Sequence, residues 1–400
     1  MLKKVPKYTL AVWLVILALS GRNVFTSFVT QYDFARQDTP VEKAINCLSH
    51  EPRNISDSWK VSGGVMRQNR SVCGTLRHDW SIMNTHFASE WASQIHQHQS
   101  NCKLPVATHF LDNTYGLGSH LILWGQAVCN AMEENYRIHS VVNESDWWIW
   151  MDQEYCSDHK ENPLDCYFPF AEQPKTCDAK NVSATPTVKD PRAHRCFQIH
   201  QNMTTEERDD YRTGVTEYLF RHISPLVIQE AKRQVGVIFP GGKTPENLIA
   251  IHIRWGDKFW EMDLVHIYEY IDAVNALLNS TPRLDTNEVH VYLATEDPKA
   301  YEQFMKEKPS NWKVYADITL QEMNAFRPLK GNRASHVTRN TKGRAGLVAL
   351  GSLLVTMEAK YFVLTTRSNW SALINHLRKT ILDQACNDCT KAIDLRPFVW

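Results

Sequence analysis

Residues 248–258 read Leu-Ile-Ala-Ile-His-Ile-Arg-Trp-Gly-Asp-Lys, six largely apolar residues running straight into a charged, glycine-containing turn. Such a nearly continuous apolar run is what a strand covered on both faces by helices requires, and that is the situation of a parallel sheet. In open α/β sheets, ligands sit beyond the carboxyl ends of the strands. Arg254 stands there with a planar fork suited to phosphate. The plainer alternative is a buried strand that ends in a surface ion pair.

The same grammar recurs along the chain. Strands are predicted at 248–253, 289–293 and 361–364, and helices at 264–278, 297–306, 344–358 and 371–383. That alternation predicts a parallel βαβ domain. Upstream, 106–111 reads as a strand, 112–118 as a glycine-bearing turn, 119–136 as a helix and 138–142 as the next strand, the opening of a nucleotide-binding unit. Thr204 followed by Glu207 predicts a capped helix start, and Ser224-Pro225 restarts a helix that Gly236 should end. Residues 321–342 are polar, basic and aperiodic, and read as a mobile loop.

Four hundred residues exceed one typical core, so two subdomains are expected, at 101–240 and 241–400, behind a targeting segment (1–25) and an irregular stem (26–100). Forty-four basic and 44 acidic residues cancel, which disfavours nucleic acid as a partner. Lys3, Lys4 and Lys7 precede the uncharged run Thr9 to Leu19, short against the roughly 20 residues that span a bilayer. It suits a cleaved signal peptide, or a signal anchor that holds the protein on the membrane. Either delivers the remainder to the secretory lumen. Ten cysteines and sequons at Asn54, Asn69, Asn143, Asn181, Asn202, Asn279 and Asn369 fit that compartment. Cys386 and Cys389 form a Cys-x-x-Cys without a second pair at zinc-finger spacing, which favours a local disulfide.

Four strand ends carry polar or glycine-rich sequence: Asn113 to His120, Arg254 to Lys258, Ala294 to Pro298, and Thr365 to Asn369. Their convergence on one sheet edge would build a single cleft. Gly116 and Gly118 permit close backbone approach, His120 follows them, and Ser368 and Asn369 open a helix whose amides favour anions. Arg254 supplies fixed charge for a leaving diphosphate. His252 is expected to face away from Arg254, as a core histidine or toward a base or ribose. Glu261 and Asp263 are general-base candidates or, equally, caps of the helix near Leu264, while Lys258 would need a strongly lowered pKa. No Asp-x-Asp occurs, which favours a mechanism without a metal ion.

Ile251-His-Ile-Arg-Trp-Gly-Asp-Lys258 resembles the His-Val-Arg-Arg-x-Asp-Lys signature of the α-1,6-fucosyltransferases, eukaryotic core and bacterial nodulation types. His290 to Pro298 is similar to the family's Val-Tyr-Leu-Ala-Thr-Asp-Asp-Pro motif, and Ala359 to Asn369 to its third motif. Tyr115 to Gly118 with His120 resembles its early glycine loop. The resemblance covers about 106–385. It implies an α/β, GT-B-like glycosyltransferase with two Rossmann-like subdomains, the C-terminal one a parallel sheet flanked by helices. It implies inverting, metal-independent transfer of fucose from GDP-fucose to a glycan or glycoprotein acceptor in the Golgi lumen, with no cofactor. By position it carries GDP contacts onto His252, Arg254, Ser368 and Asn369, with Asp257, Lys258 and Asp297 shaping the site. Protein O-fucosylation, another fucosyl linkage and a luminal glycan-binding pseudoenzyme are the alternatives. The sequence departs from the family pattern at Trp255, where a second Arg is expected, and at Ser352, where a guanine-reading Asp is expected. The resemblance is to the family's transferase part, and an SH3-like domain is not expected after the last helix.

Overall fold

The computed structural model describes residues 73–81, 86–142, 147–172, 177, 186–194, 196, 203–256, 258, 262–281, 287–319 and 338–398, all within one compact unit. The targeting segment, most of the stem, five sequons (Asn54, Asn69, Asn143, Asn181, Asn202) and most of the 321–342 loop lie outside these residues. No helix among the described residues is long and apolar enough to cross a membrane.

The chain runs through α1 (Glu90–Gln99), β1 (Val106–Phe110), α2 (Leu117–Glu133), β2 (Arg137–Val141), α3 (Thr205–Arg221) and α4 (Pro225–Ile238). It continues as β3 (Ile249–His252), α5 (Ile267–Asn279), β4 (Val289–Ala294), α6 (Pro298–Glu307) and β5 (Trp312–Tyr315). Last come α7 (Arg344–Thr356), β6 (Tyr361–Leu364), α8 (Asn369–Leu377) and β7 (Lys391–Asp394). The start signals work as the residue types dictate. Thr204 and Glu207 form a reciprocal capping box on α3, and the Ser224 hydroxyl accepts from Val227 N ahead of Pro225.

Two parallel sheets result. β1 and β2 pair alone, while the larger sheet has the order β5-β4-β3-β6-β7. All its pairings are parallel, so this is a Rossmann-like sheet in which the order reverses between β3 and β6. Period-two alternation splits the strand side chains. Ala250, Tyr292, Tyr315, Phe362 and Leu364 face α4 and α7 in a core continuous with the first half of the chain. Ile249, Ile251, Val291, Leu293, Val314 and Val363 face α5 and α6 in a second core. Both faces are covered, which is why these strands tolerate almost no polar residue.

Several expectations need correction. Residues 90–99, read as irregular, form α1, and its Ala92 and Ile95 are buried. Its polar composition hides that narrow face. β5 and β7 were not anticipated: they are as short as β3 and β6, but Lys313 in one and Lys391 and Asp394 in the other break the apolar run. α4 runs two residues past Gly236. Gly74 packs closely against α4 there, because a Cβ added at Gly74 would lie 2.5 Å from Gly236 N. The last helix starts at Asn369 and, beyond Leu377, loosens into a π-helical stretch at Arg378–Leu382. The Cys-x-x-Cys is a disulfide, Cys386–Cys389. Cys102–Cys177, Cys129–Cys196 and Cys156–Cys166 staple the first half, and no described cysteine is free.

Candidate functional site

The strand-order reversal puts the carboxyl ends of β3 and β6 side by side, with α8 leaving directly from the second. His252 ends β3. Its Nδ1 lies 2.7 Å from the Ser371 hydroxyl on α8. Burial, helped by nearby Arg254, lowers its pKa to about 3, so the ring is neutral at ordinary pH. Arg254, two residues past the end of β3, lies close enough to disfavour protonation of the ring.

Arg254 is only 18% exposed, and its charge is already met. One Nη donates to Glu296 at 2.5 Å and to the Trp255 carbonyl at 2.9 Å. Glu296 sits just past β4, so the ion pair bridges two adjacent strand ends. Trp255 is turned back into the fold, its Nε1 donating to Val265 O at 2.8 Å. Gly256 takes φ +78°, a left-handed conformation that glycine adopts without cost. Asp257 and Glu261 lie outside the described residues. Lys258 is half-buried, its carbonyl accepting from Met262 N, and Asp263 is exposed. Asp263 does not cap the next helix, because His266 and Glu269 form that box. Asp297 is the N-cap of α6: its carboxylate accepts from Lys299 N and Ala300 N at 2.8 and 3.3 Å. Its part in any site is to hold the turn beyond β4.

The glycine loop joins this cluster from the first half. Gly116 is the N-cap of α2, and a Cβ added there would meet nothing within 4 Å. A Cβ at Gly118 would come within 3.3 Å of Trp370, the second residue of α8. Asn369 Nδ2 donates to the Ser119 hydroxyl at 2.8 Å. The N-termini of α2 and α8 therefore abut, and each presents backbone N–H groups and the positive end of a helix dipole. Ser368, the N-cap of α8, is buried and makes no capping bond through its hydroxyl. His120 is buried behind the loop with its Nε2 unpartnered, its pKa lowered to about 4 by desolvation.

Of the residues singled out from sequence, the structure gathers Gly116, Gly118, His252, Arg254, Ser368 and Asn369 around the β3–β6 switch. Asp297 stands off as a cap. Reasoning from sequence missed Glu296, Ser371, Ser119 and Trp370, the partners that hold those side chains. Glu296 was visible next to Asp297 at a strand end, whereas the other three carried no signal. Asn369 and Ser371 belong to one sequon, and both of its polar side chains are engaged inside the fold. Ser352 on α7 shares a 2.8 Å hydrogen bond with the Tyr292 hydroxyl, between α7 and β4. Among the described residues no group of three His, Cys, Asp or Glu side chains is arranged to hold a metal ion.

No protein-family model matches the chain, and no curated protein does. Among solved structures, Leishmania major tyrosyl-tRNA synthetase in complex with tyrosinol matches 58% of this chain at 14% identity, with a TM-score of 0.20. The chain spans about half of that structure, 48% of its length. A likeness this slight carries no argument about fold or chemistry.

Proposed function

We propose that this chain is an inverting glycosyltransferase of GT-B-like, α-1,6-fucosyltransferase type. In this reading it moves fucose from GDP-fucose to a glycan hydroxyl, the core position of N-glycans being the first acceptor to try, in the Golgi lumen and without a metal ion. The observation that carries the proposal is the junction at the sheet's switch point, where two helix N-termini, Arg254 and His252 surround the place a Rossmann-like sheet reserves for a nucleotide phosphate.

The reaction is a single displacement. An acceptor oxygen attacks fucose C1 while the bond from C1 to the β-phosphate oxygen breaks and GDP leaves. The acceptor proton passes to a carboxylate, with Glu261 and Asp263 as candidates. Arg254 and the amides that open α8 stabilise charge growing on the departing phosphate, the kind of interaction that usually dominates catalysis. Arg254 must exchange Glu296 for phosphate, so Glu296 holds the guanidinium in place until the donor arrives. Ser368 and Asn369 complete the phosphate contacts, and Asp257, Lys258 and Asp297 shape the turns around them.

The test is incubation of the purified protein with GDP-fucose and N-glycan acceptors, with and without EDTA, followed by linkage analysis. Arg254→Ala, with the fold intact, should lower turnover on the order of 10²–10³-fold. Turnover at the wild-type rate would reject the assignment, and loss of turnover in EDTA would reject its metal-free part. A glycan-binding protein without turnover is the second reading. It draws support from the Arg254–Glu296 pair, which already neutralises the cation, and from Ser352, whose hydroxyl is engaged by Tyr292.

A further inference from the structure

Tyr115 immediately precedes the glycine that caps α2, at the lip of the junction just described. It is 38% exposed, yet it is held on several sides. Its carbonyl accepts from Trp150 Nε1 at 2.9 Å. The edge of its ring meets His120, with centroids 6.4 Å apart, and Arg192 lies close beside it. Arg192 is itself fixed by two carboxylates, Asp190 and Asp112, both at 2.8 Å. Asn113, in the same loop, clamps the Trp147–Ile149 backbone through both ends of its amide. Fixing a side chain costs rotamer entropy. Tyr115 keeps more than a third of its surface in solvent, so part of an aromatic face is held ready for a ligand.

We infer that Tyr115, with Arg192, Asp112 and Asp190, forms a platform for a sugar ring of the acceptor. The apolar face of a pyranose stacks on the tyrosine ring, a rigid amphipathic surface that loses little further entropy on binding. Vicinal hydroxyls donate to the spare lone pairs of Asp112 and Asp190 and accept from the guanidinium. The balance of two carboxylates to one cation suits a neutral, hydroxyl-rich ligand better than an anionic one. The position suits an acceptor, since Tyr115 stands beside the N-termini of α2 and α8, to which the donor phosphate is assigned. This inference rests on the proposed transferase reading for its orientation, but the platform can be tested without turnover.

Binding of a released biantennary N-glycan is measured by calorimetry on the full-length protein, wild type, Tyr115→Ala, Tyr115→Phe and Arg192→Ala, with GDP binding measured in parallel. Tyr115→Ala should weaken glycan binding about tenfold or more while GDP affinity stays within twofold, and Tyr115→Phe, which keeps the ring, should stay within about threefold of wild type. Arg192→Ala should fall between the two. Equal glycan binding by Tyr115→Ala and wild type overturns the platform. Parallel loss of GDP and glycan binding also overturns it, because Tyr115 would then be a strut of the glycine loop. Binding that needs an attached peptide and not the sugar overturns it in favour of a protein surface. Glycan binding that depends on Tyr115 in a protein that never turns over GDP-fucose keeps the platform and rejects the transferase.

Discussion

The two sheets reach stability by different means. The five-stranded sheet is held by strands apolar on both faces, with a core on each side, and the disulfide beside it closes a span of three residues. The two-stranded sheet has five residues per strand and itself lends only Ala107 and Ile138 to the core, so the apolar packing of its half comes from helices and loops. Among the described residues three disulfides secure its half, two of them spanning 75 and 67 residues. So does a buried carboxylate, Glu172, which accepts from Trp124 Nε1, Ser140 N and the Ser140 hydroxyl at 2.6, 2.7 and 2.5 Å. Where strands themselves bury little apolar surface, packed helices and loops, cross-links and fully met polar groups share the task. Each kind of support fails under different conditions.

Reduction should break the comparison most sharply. By loop-closure entropy the two long disulfides contribute about 4 kcal/mol each and the Cys386–Cys389 bridge about 2. Hydrogen exchange after gentle reduction should show β1, β2 and α2 opening while β3, β4 and β6 stay protected. Uniform opening of both sheets would remove the distinction. Glu172→Ala is the next largest effect. It leaves three buried donors unmet and should cost about 3–5 kcal/mol in denaturant unfolding, and a cost under about 1 kcal/mol would contradict the role assigned to Glu172.

Mild acid should separate the halves by sign. Burial lowers His109, His120 and His222 to about 4 in the first half, and His252 to about 3 beside the second sheet. Their folded forms bind fewer protons than the unfolded chain, so the stability they support is present above pH 6.5 and declines as pH falls toward 4. Glu358 and Asp317, at the ends of the larger sheet, are raised by burial to about 7 and about 6. Their folded forms take up protons first, so their contribution grows as pH falls through those values. Glu172, also raised by burial, opposes the three histidines in its own half. Exchange rates corrected for pH, compared at pH 7 and pH 5, should show the first half loosening relative to the second. The reverse order would sink the argument.

The smallest effect sharpens a single residue. Asp297→Ala should cost about 1 kcal/mol through loss of the α6 cap, Asp297→Asn much less, and neither should change GDP affinity by more than about twofold. A large loss of affinity in both would move Asp297 from the cap into the phosphate site.

Much of the larger sheet was legible because its signals are local. Ile249 to His252, Val289 to Ala294 and Tyr361 to Leu364 announce themselves by unbroken apolar runs, and α3, α4 and α6 by their capping residues. The glycine loop and the polar strand ends could be read in the same way. β5, β7 and α1 could not, because charged residues interrupt the short strands and a mostly polar helix shows too few apolar residues to reveal a period.

The sequence by itself determined the parallel α/β architecture of the second half, the positions of its turns and the residue types at its strand ends. These depend on periods of 2 and 3.6 and on caps a few residues long. Only the tertiary structure decided the strand order that sets β3 against β6. It also paired Arg254 with Glu296 across 42 residues, His252 with Ser371 across 119, and Asn369 with Ser119 across 250. Such partners are chosen by how whole elements pack, and a local pattern of side chains carries no record of what will lie on the other side of the core.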